Sequence, residues 1–364
     1  MSRHRFTVLV VVALVAIAAA FYVSTLRDAS HETPGLPLLP ALPGDLNAVT
    51  AVTVRKGSAT PTLTLHKAGD QWSVAERGDY PADVSKLRQL LVTLRDARIV
   101  EAKTADPARF AQIGVEDPVD PGAAGAEVTV QTAGGKTAVI VGKAVGNGNF
   151  VRRQGENRAY SAEPSITVET EPRFWIDARL IDVAATLIQS IEYKPAAGAA
   201  FTLHRLTPAD NTFSLDGVPP GRKAKDGHAL APSPSLLTGL NAEDVAAAST
   251  LNFASPAQVT VTLTDGKILT LTGTVAGDKH WIQVTSNKDA VLNAKTRGRA
   301  FEIASYRYDE IFKPLEQLLE PLPQKTPAAP KGAAKKAPAA APKQPTEGAA
   351  PPHAKDEPAP AATP

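Results

Sequence analysis

The chain has 364 residues, enough for two domains of ordinary size, with 39 basic against 37 acidic side chains and a formal net charge of +2. So even a balance excludes a global basic field for nucleic acid. With no cysteine at all, disulfides, thiol catalysis and cysteine-ligated metals are excluded too, and stability has to come from the cores.

In chain order, Arg3, His4 and Arg5 precede Phe6–Val23, eighteen residues without a charge. That length meets the lower limit for crossing a bilayer as a helix. A cleaved signal peptide competes, since Ala18-Ala19-Ala20 offers small residues for cleavage, but its apolar region normally runs only about 7–15 residues. The expectation is an uncleaved single-pass anchor within 1–27. Its basic flank lies in the cytoplasm, and the rest of the chain is periplasmic or otherwise extracytoplasmic. Residues 28–46, rich in Pro, Gly and Leu, read as an extended spacer.

Strands follow. Val49, Ala51 and Val54 lie in a β-rich run, Leu63–Lys67 alternates up to a turn at Ala68-Gly69-Asp70, and Trp72 and Val74 continue on one face. After Tyr80-Pro81 comes the clearest helix, with Val84, Leu87, Leu90, Leu91 and Leu94 at helical spacing and Asp83 placed for the first-turn dipole. A short link with Phe110 leads to a hairpin, and a helical segment is expected around Ile176–Ile188.

A strand at Ser190–Tyr193 then opens a second round. Phe201–Arg205, Phe213 and Leu215 repeat the early strands, and Leu236, Leu237, Leu240 and Val245 suggest a weaker helix. A second hairpin and a helical segment over Tyr308–Leu319, with Pro314 starting a new turn, close this copy. Residues 323–364 are almost wholly Ala, Pro and Lys with a few acids, a composition that predicts a disordered tail.

The two rounds are one unit used twice. Residues 128–142 (VTVQTAGGKTAVIVG) and 259–273 (VTVTLTDGKILTLTG) lie 131 residues apart and share six of fifteen positions, among them Gly135-Lys136 and Gly266-Lys267. The same offset places Phe150-Val151-Arg152 on Trp281-Ile282-Gln283 and Trp175 on Tyr306. The expected fold is α+β: two tandem, similar domains, 47–188 and 189–322, of mainly antiparallel sheet with packed helices.

Candidate chemistry is sparse. His66 and His204 occupy equivalent positions, which invites a shared metal, but both fall on the polar face and lack companions at ligand spacing. Gly134-Gly135-Lys136 and Gly146-Asn147-Gly148 match no Walker or dinucleotide pattern and fit hairpin turns. Glu169, Glu171, Asp177 and Asp182 cluster near Trp175, yet the second copy carries its acids at other phases, so no fixed carboxylate pair is indicated. No Gly-x-Ser-x-Gly elbow occurs. The densest basic–aromatic patch is Arg152, Arg153, Arg158 and Tyr160, a candidate surface for a partner or an anionic ligand. No metal, cofactor or catalytic residue is expected.

The order of Leu65-His66-Lys67, Gln71-Trp72-Ser73-Val74, Tyr80-Pro81-Ala82-Asp83, Phe110, Ile113-Gly114-Val115, Pro118, Val139–Gly142, Phe150–Arg153 and Tyr160 resembles the bacterial envelope family catalogued as domain of unknown function 4340. The resemblance covers roughly 48–320. Gly114-Val115 departs from the Gly-Leu more usual in the family. The resemblance implies one N-terminal membrane helix, an extracytoplasmic β-rich body and an association with gliding-type ABC transporter components. The sequence reading is therefore a non-enzymatic, membrane-anchored accessory or scaffold protein. The alternative is a glycan- or small-ligand-binding module with Trp175 or Trp281 converging in a cleft between the copies, and an envelope hydrolase is a weaker third.

Overall fold

A computed structural model describes residues 34–42, 44–207 and 211–322. The expected anchor Phe6–Val23 and the tail 323–364 lie outside the described residues. Among the described residues no helix is long and apolar enough to cross a membrane.

Period-2 alternation builds the first sheet. It comprises β1 (Val49–Arg55), β2 (Leu63–Ala68), β3 (Gln71–Val74), β4 (Tyr80–Pro81), β5 (Arg98–Ala102), β6 (Ala126–Thr132), β7 (Gly135–Val145), β8 (Gly148–Arg153) and β9 (Ala159–Glu163). In space the order is β4-β3-β2-β1-β6-β7-β8-β9-β5. Val52 and Val54 of β1 are fully buried on one face by alternation, and an irregularity in the pairing at Val49–Ala51 lets Val49 be buried as well while Thr50 is exposed. A short ribbon pairs β10 (Arg179–Ile181) with a later strand. The second sheet opens with β11 (Ile188–Lys194), β12 (Phe201–Arg205) and β13 (Phe213–Asp216). After β14 (Leu240–Asn241), the partner of β10, it continues with β15 (Asp244–Ala247), β16 (Ala257–Leu263), β17 (Ile268–Ala276), β18 (Lys279–Ser286) and β19 (Arg299–Ile303). Its order is β13-β12-β11-β16-β17-β18-β19-β15. Strand for strand this repeats the first sheet from β3 to β5, and the named strand pairs are antiparallel throughout.

The first copy carries the 13-residue helix α1 (Val84–Asp96), capped by Asp83, whose carboxylate accepts from the N–H groups of Ser85 and Lys86. Its Leu87, Leu90, Leu91 and Leu94 are buried; burying four leucines contributes roughly 6–12 kcal/mol before ordering entropy is subtracted. Val84, which shares their spacing, is exposed. A single turn, α2 (Phe110–Ile113), follows. The second copy instead carries α3 (Ala290–Thr296) between β18 and β19, and α4 (Ser305–Ile311) after β19.

Three expectations need correction. The helix expected around Leu236–Val245 is absent: Leu236 and Leu237 are buried from a chain of turns, Leu240 lies in β14 and Val245 in β15. Ile176–Ile188 forms β10 and a 3-10 turn (Ala185–Leu187) rather than a helix. Within the expected spacer, Leu38, Leu39 and Leu42 are buried, and Gly35 and Leu38 donate to Ile99 and Ala97 carbonyls at 2.8 and 2.9 Å. That part of the segment therefore lies against the first sheet. Apolar leucines between prolines gain more from the core than from extension into water.

Register also corrects the repeat. Val130 pairs with Val52, and Val261 with Ile191, keeping the 131-residue offset of the hairpin. On β9 and β19, however, Ala162 lies opposite Asn149 and Ile303 opposite His280, an offset of 141. The ten extra residues hold α3. Trp175 and Tyr306 are therefore not equivalent: Trp175 is 3% exposed and Tyr306 69%.

The twin glycines of the repeat have a physical cause. A Cβ on Gly142 would lie 2.5 Å from the Ile113 carbonyl oxygen, and one on Gly273 would run into the Phe312 ring. In each copy the missing side chain lets a covering segment close on the sheet. Gly135 (φ 134) and Gly266 (φ 75) hold the tight turns that put glycine in both hairpins.

The two sheets share no strand, yet one continuous hydrophobic cluster runs from Leu38 to Leu319, and both copies fall in one compact unit ending at Glu320.

Candidate functional site at the junction of the copies

The basic–aromatic patch is assembled by the β8–β9 hairpin, and its donors face inward. Arg152 donates from Nε to the Val115 carbonyl (2.8 Å) and from Nη1 to that of Glu156 (3.2 Å), with its guanidinium 4.9 Å over Phe110. Burial draws its pKa down despite Asp117, Glu127 and Glu116 nearby. Arg153 holds the Leu38 and Pro37 carbonyls at 2.7 and 3.0 Å, pairs with Glu156 and lies over Tyr160. The Tyr160 hydroxyl donates to Glu156 Oε2 at 3.3 Å. Arg158, half-buried on the same turn, is engaged as well. These groups clamp α2 and the 37–38 segment onto the sheet.

The equivalent histidines behave alike. His66 pairs with Asp79 at 3.4 Å and His204 with Asp216 at 3.1 Å, each within its own copy. Among the described residues no group of three or more His, Cys, Asp or Glu gathers as a metal site. The acids near Trp175 go to separate partners: Glu171 to Arg173, Asp177 to Lys295 at 2.7 Å, and Asp182 to the Gly239 N–H. Glu169 offers only its carbonyl, which accepts from Trp175 Nε1 at 2.9 Å. Trp175 borders a groove of about 290 Å³ beside α1, and Trp281 is buried beneath Lys279, so the two tryptophans do not converge between the copies.

Arginines line that junction instead. Arg77, on the 3-10 turn after β3, grips Asp244 of β15 through two bonds, 2.5 Å from Nε and 3.1 Å from Nη2. Arg299 donates to the Gly78 carbonyl (2.8 Å) and the Lys295 carbonyl (3.0 Å) and lies 5.4 Å over the Tyr80 ring. Lys295 joins Asp177 and the Arg179 carbonyl and lies 5.5 Å from the same ring. Tyr80 packs edge-on against Phe301, and burial, helped by Asp177, pushes its hydroxyl pKa far up. Between Arg77 and the turn after α3 opens a cleft of about 550 Å³ floored by Val245, Ala246 and Ala247. A neighbouring groove of about 470 Å³ shares Arg297, Gly298 and Arg299 with it.

A second groove, about 230 Å³, is aromatic. Tyr193 stacks on Phe201 (4.7 Å), Tyr308 leans on Phe312 (4.5 Å) and His280 on Tyr308 (5.0 Å), with Lys194 and Lys313 also lining it. Burial raises the Tyr193 and Tyr308 hydroxyls above their ordinary value.

Sequence reasoning missed the junction because Lys295, Arg297 and Arg299 sit on or beside the insertion that breaks the repeat. The signal was available as a change of offset after residue 286.

Fold and junction together define a duplicated antiparallel α+β protein whose two sheets are locked into one body by buried aromatics and bound guanidiniums. The chain belongs to the family described as Domain of unknown function (DUF4340), whose model matches residues 72–259, just over half of it. The match runs from β3 into β16 and so includes Arg77, Tyr80 and Asp244 of the junction, while Lys295, Arg299 and Phe301 lie beyond it. Comparison with curated proteins and with solved structures returns no match.

Proposed function

We propose that the chain is a non-enzymatic accessory or scaffold protein of the cell envelope. In this reading Phe6–Val23 anchors it in the inner membrane, the two-copy body stands on the extracytoplasmic side, and an ABC-type transporter complex is its partner. The observation that carries the reading is the fused body. Its partly buried charges, Arg77, Asp244, Lys295 and Arg299, are spent on joining the copies, which suits a rigid platform. The membrane and transporter parts rest on the apolar run and on the family resemblance. Cross-linking the full-length protein in membranes and purifying it in detergent tests the proposal. Recovery of transporter subunits is expected; release from membranes by an alkaline carbonate wash, or the absence of any membrane partner, refutes it.

A ligand-binding module is the second reading, favoured by the junction cleft, whose size falls within the roughly 300–1,000 Å³ of small-molecule sites.

A further inference from the structure

The turn after α3 is built differently from the rest of the junction. Arg77 is committed to Asp244, Arg299 to two carbonyls and Lys295 to Asp177. Arg297 is not: its guanidinium makes none of the hydrogen bonds or ion pairs found among the described residues. Its backbone is nevertheless held on both sides. Arg297 N–H donates to the Asn293 carbonyl (3.0 Å), and the next residue, Gly298, accepts from the Ala248 N–H (2.9 Å). A guanidinium is thus presented from a fixed turn at the edge of a cleft lined by the small residues Gly78, Ala246, Ala247 and Ala294.

The charge around it is uneven. Of the three guanidiniums that line the cleft, that of Arg77 is neutralised by Asp244, which leaves those of Arg297 and Arg299 against the carboxylate of Glu76. Glu76 accepts from the Thr64 N–H at 3.0 Å. An arginine fork matches the paired oxygens of a phosphate or carboxylate. Space remains beyond the anion for a body of sugar size.

We propose that the cleft between the copies is a binding site for a phosphate-bearing ligand, with Arg297 as the recognition residue and Arg299 supplying the neighbouring positive charge. The site rests on the ligand-binding reading alone and stands whether or not the chain is an envelope scaffold. The phosphate can be that of a soluble sugar phosphate or of a lipid headgroup.

Calorimetric titration of the full-length protein in detergent tests the soluble source, with glucose 6-phosphate, inorganic phosphate and glucose as probes. Co-sedimentation with phosphatidylglycerol and phosphatidylcholine vesicles tests the lipid source for the protein reconstituted without detergent. Saturable binding of a phosphate probe or of the anionic vesicles is expected, with none for glucose. Arg297→Glu is expected to weaken it about tenfold or more, the loss of a charge-assisted contact. Arg88→Glu, an equal charge change on an exposed position of α1, is expected to leave it within about twofold. Since Arg297 is exposed and bonded only through its backbone, the variant folds as the parent does, checked by an unchanged melting temperature. Absence of binding to every probe up to about 10 mM, above a weak affinity of roughly 1 mM, overturns the proposal. So does an equal loss in Arg88→Glu.

Discussion

The Arg77–Asp244 fork is the most direct tie between the copies, joining residues 167 positions apart. Both side chains are largely sheltered, 22% and 14% exposed, so neither is easily resolvated when its partner is removed. Breaking a fully buried pair costs about 3–5 kcal/mol, and a hydrogen bond to a charged group is worth about 1.5–3. With a fifth of Arg77 in reach of water, Arg77→Ala is expected to cost about 2–3 kcal/mol. Asp244→Ala is expected to cost a similar amount, because it also removes the acceptor of the Val245 N–H. The double variant should lose only about 3 kcal/mol, giving a coupling of about 1–3. Urea unfolding of the full-length protein in detergent, followed by tryptophan fluorescence, reads these values. For a body of this size a slope near 3 kcal/mol per molar turns each single change into a midpoint shift of about 0.7–1 M. The slope itself should stay constant and the transition single, since one hydrophobic cluster runs through both copies. A coupling below about 0.5 kcal/mol refutes the argument that the fork joins the copies. A transition that splits in two refutes the shared core.

Gly142→Ala is expected to cost about 2–3 kcal/mol, because its Cβ meets the backbone carbonyls of Ile113 and Gly114, whereas Gly273→Ala meets the Phe312 and Tyr308 rings, side chains that can shift together, and should cost about 1–2; thermal unfolding in the opposite order would contradict this. Arg153→Ala removes two bonds to the Pro37 and Leu38 carbonyls, so amide exchange at Gly35 and Leu38 should accelerate at least about tenfold while β6 and β7 stay protected. Asp289 caps α3, and the Leu292 N–H holds its carboxylate below the ordinary value of 3.8. Its contribution is therefore present above that value and lost as pH falls through the depressed one. Asp289→Ala should cost about 1 kcal/mol at neutral pH, and its gap to the parent should close as pH drops from about 4 toward 2; a gap independent of pH counts against the cap.

Much of the fold is legible in the sequence because strand alternation and hairpin glycines act locally. The strands at Leu63–Lys67, the hairpins at Gly135 and Gly266, and α1 with its Asp83 cap all follow from neighbours a few residues away. Two things are not local. Leu236, Leu237 and Leu240 keep helical spacing, but two turn residues and one strand residue satisfy the same burial without a helix, so periodicity alone misleads. The junction depends on residues such as Arg77 and Asp244, whose partners no spacing rule can name. Arg152 and Arg153 illustrate the converse: a dense basic stretch suggests recognition, yet nearby backbone carbonyls take up its donors.

Strand order carries a further consequence, for the way the chain acquires its shape. β1 is the first strand made, yet it lies in the interior of its sheet, and one of its neighbours, β6, appears only about 80 residues later. At roughly 5–20 residues per second of synthesis, β1 and β2 wait about 4–16 s as an open ribbon with an unpaired edge. The same delay recurs in the second copy between β11 and β16. Such a topology folds slowly and exposes sticky edges twice in every round of synthesis, which makes a holding chaperone valuable to it. Arg77 waits for Asp244, 167 residues behind, and the Gly78 carbonyl waits longer still, for Arg299, 221 residues behind. The junction therefore cannot close until β19 has been made.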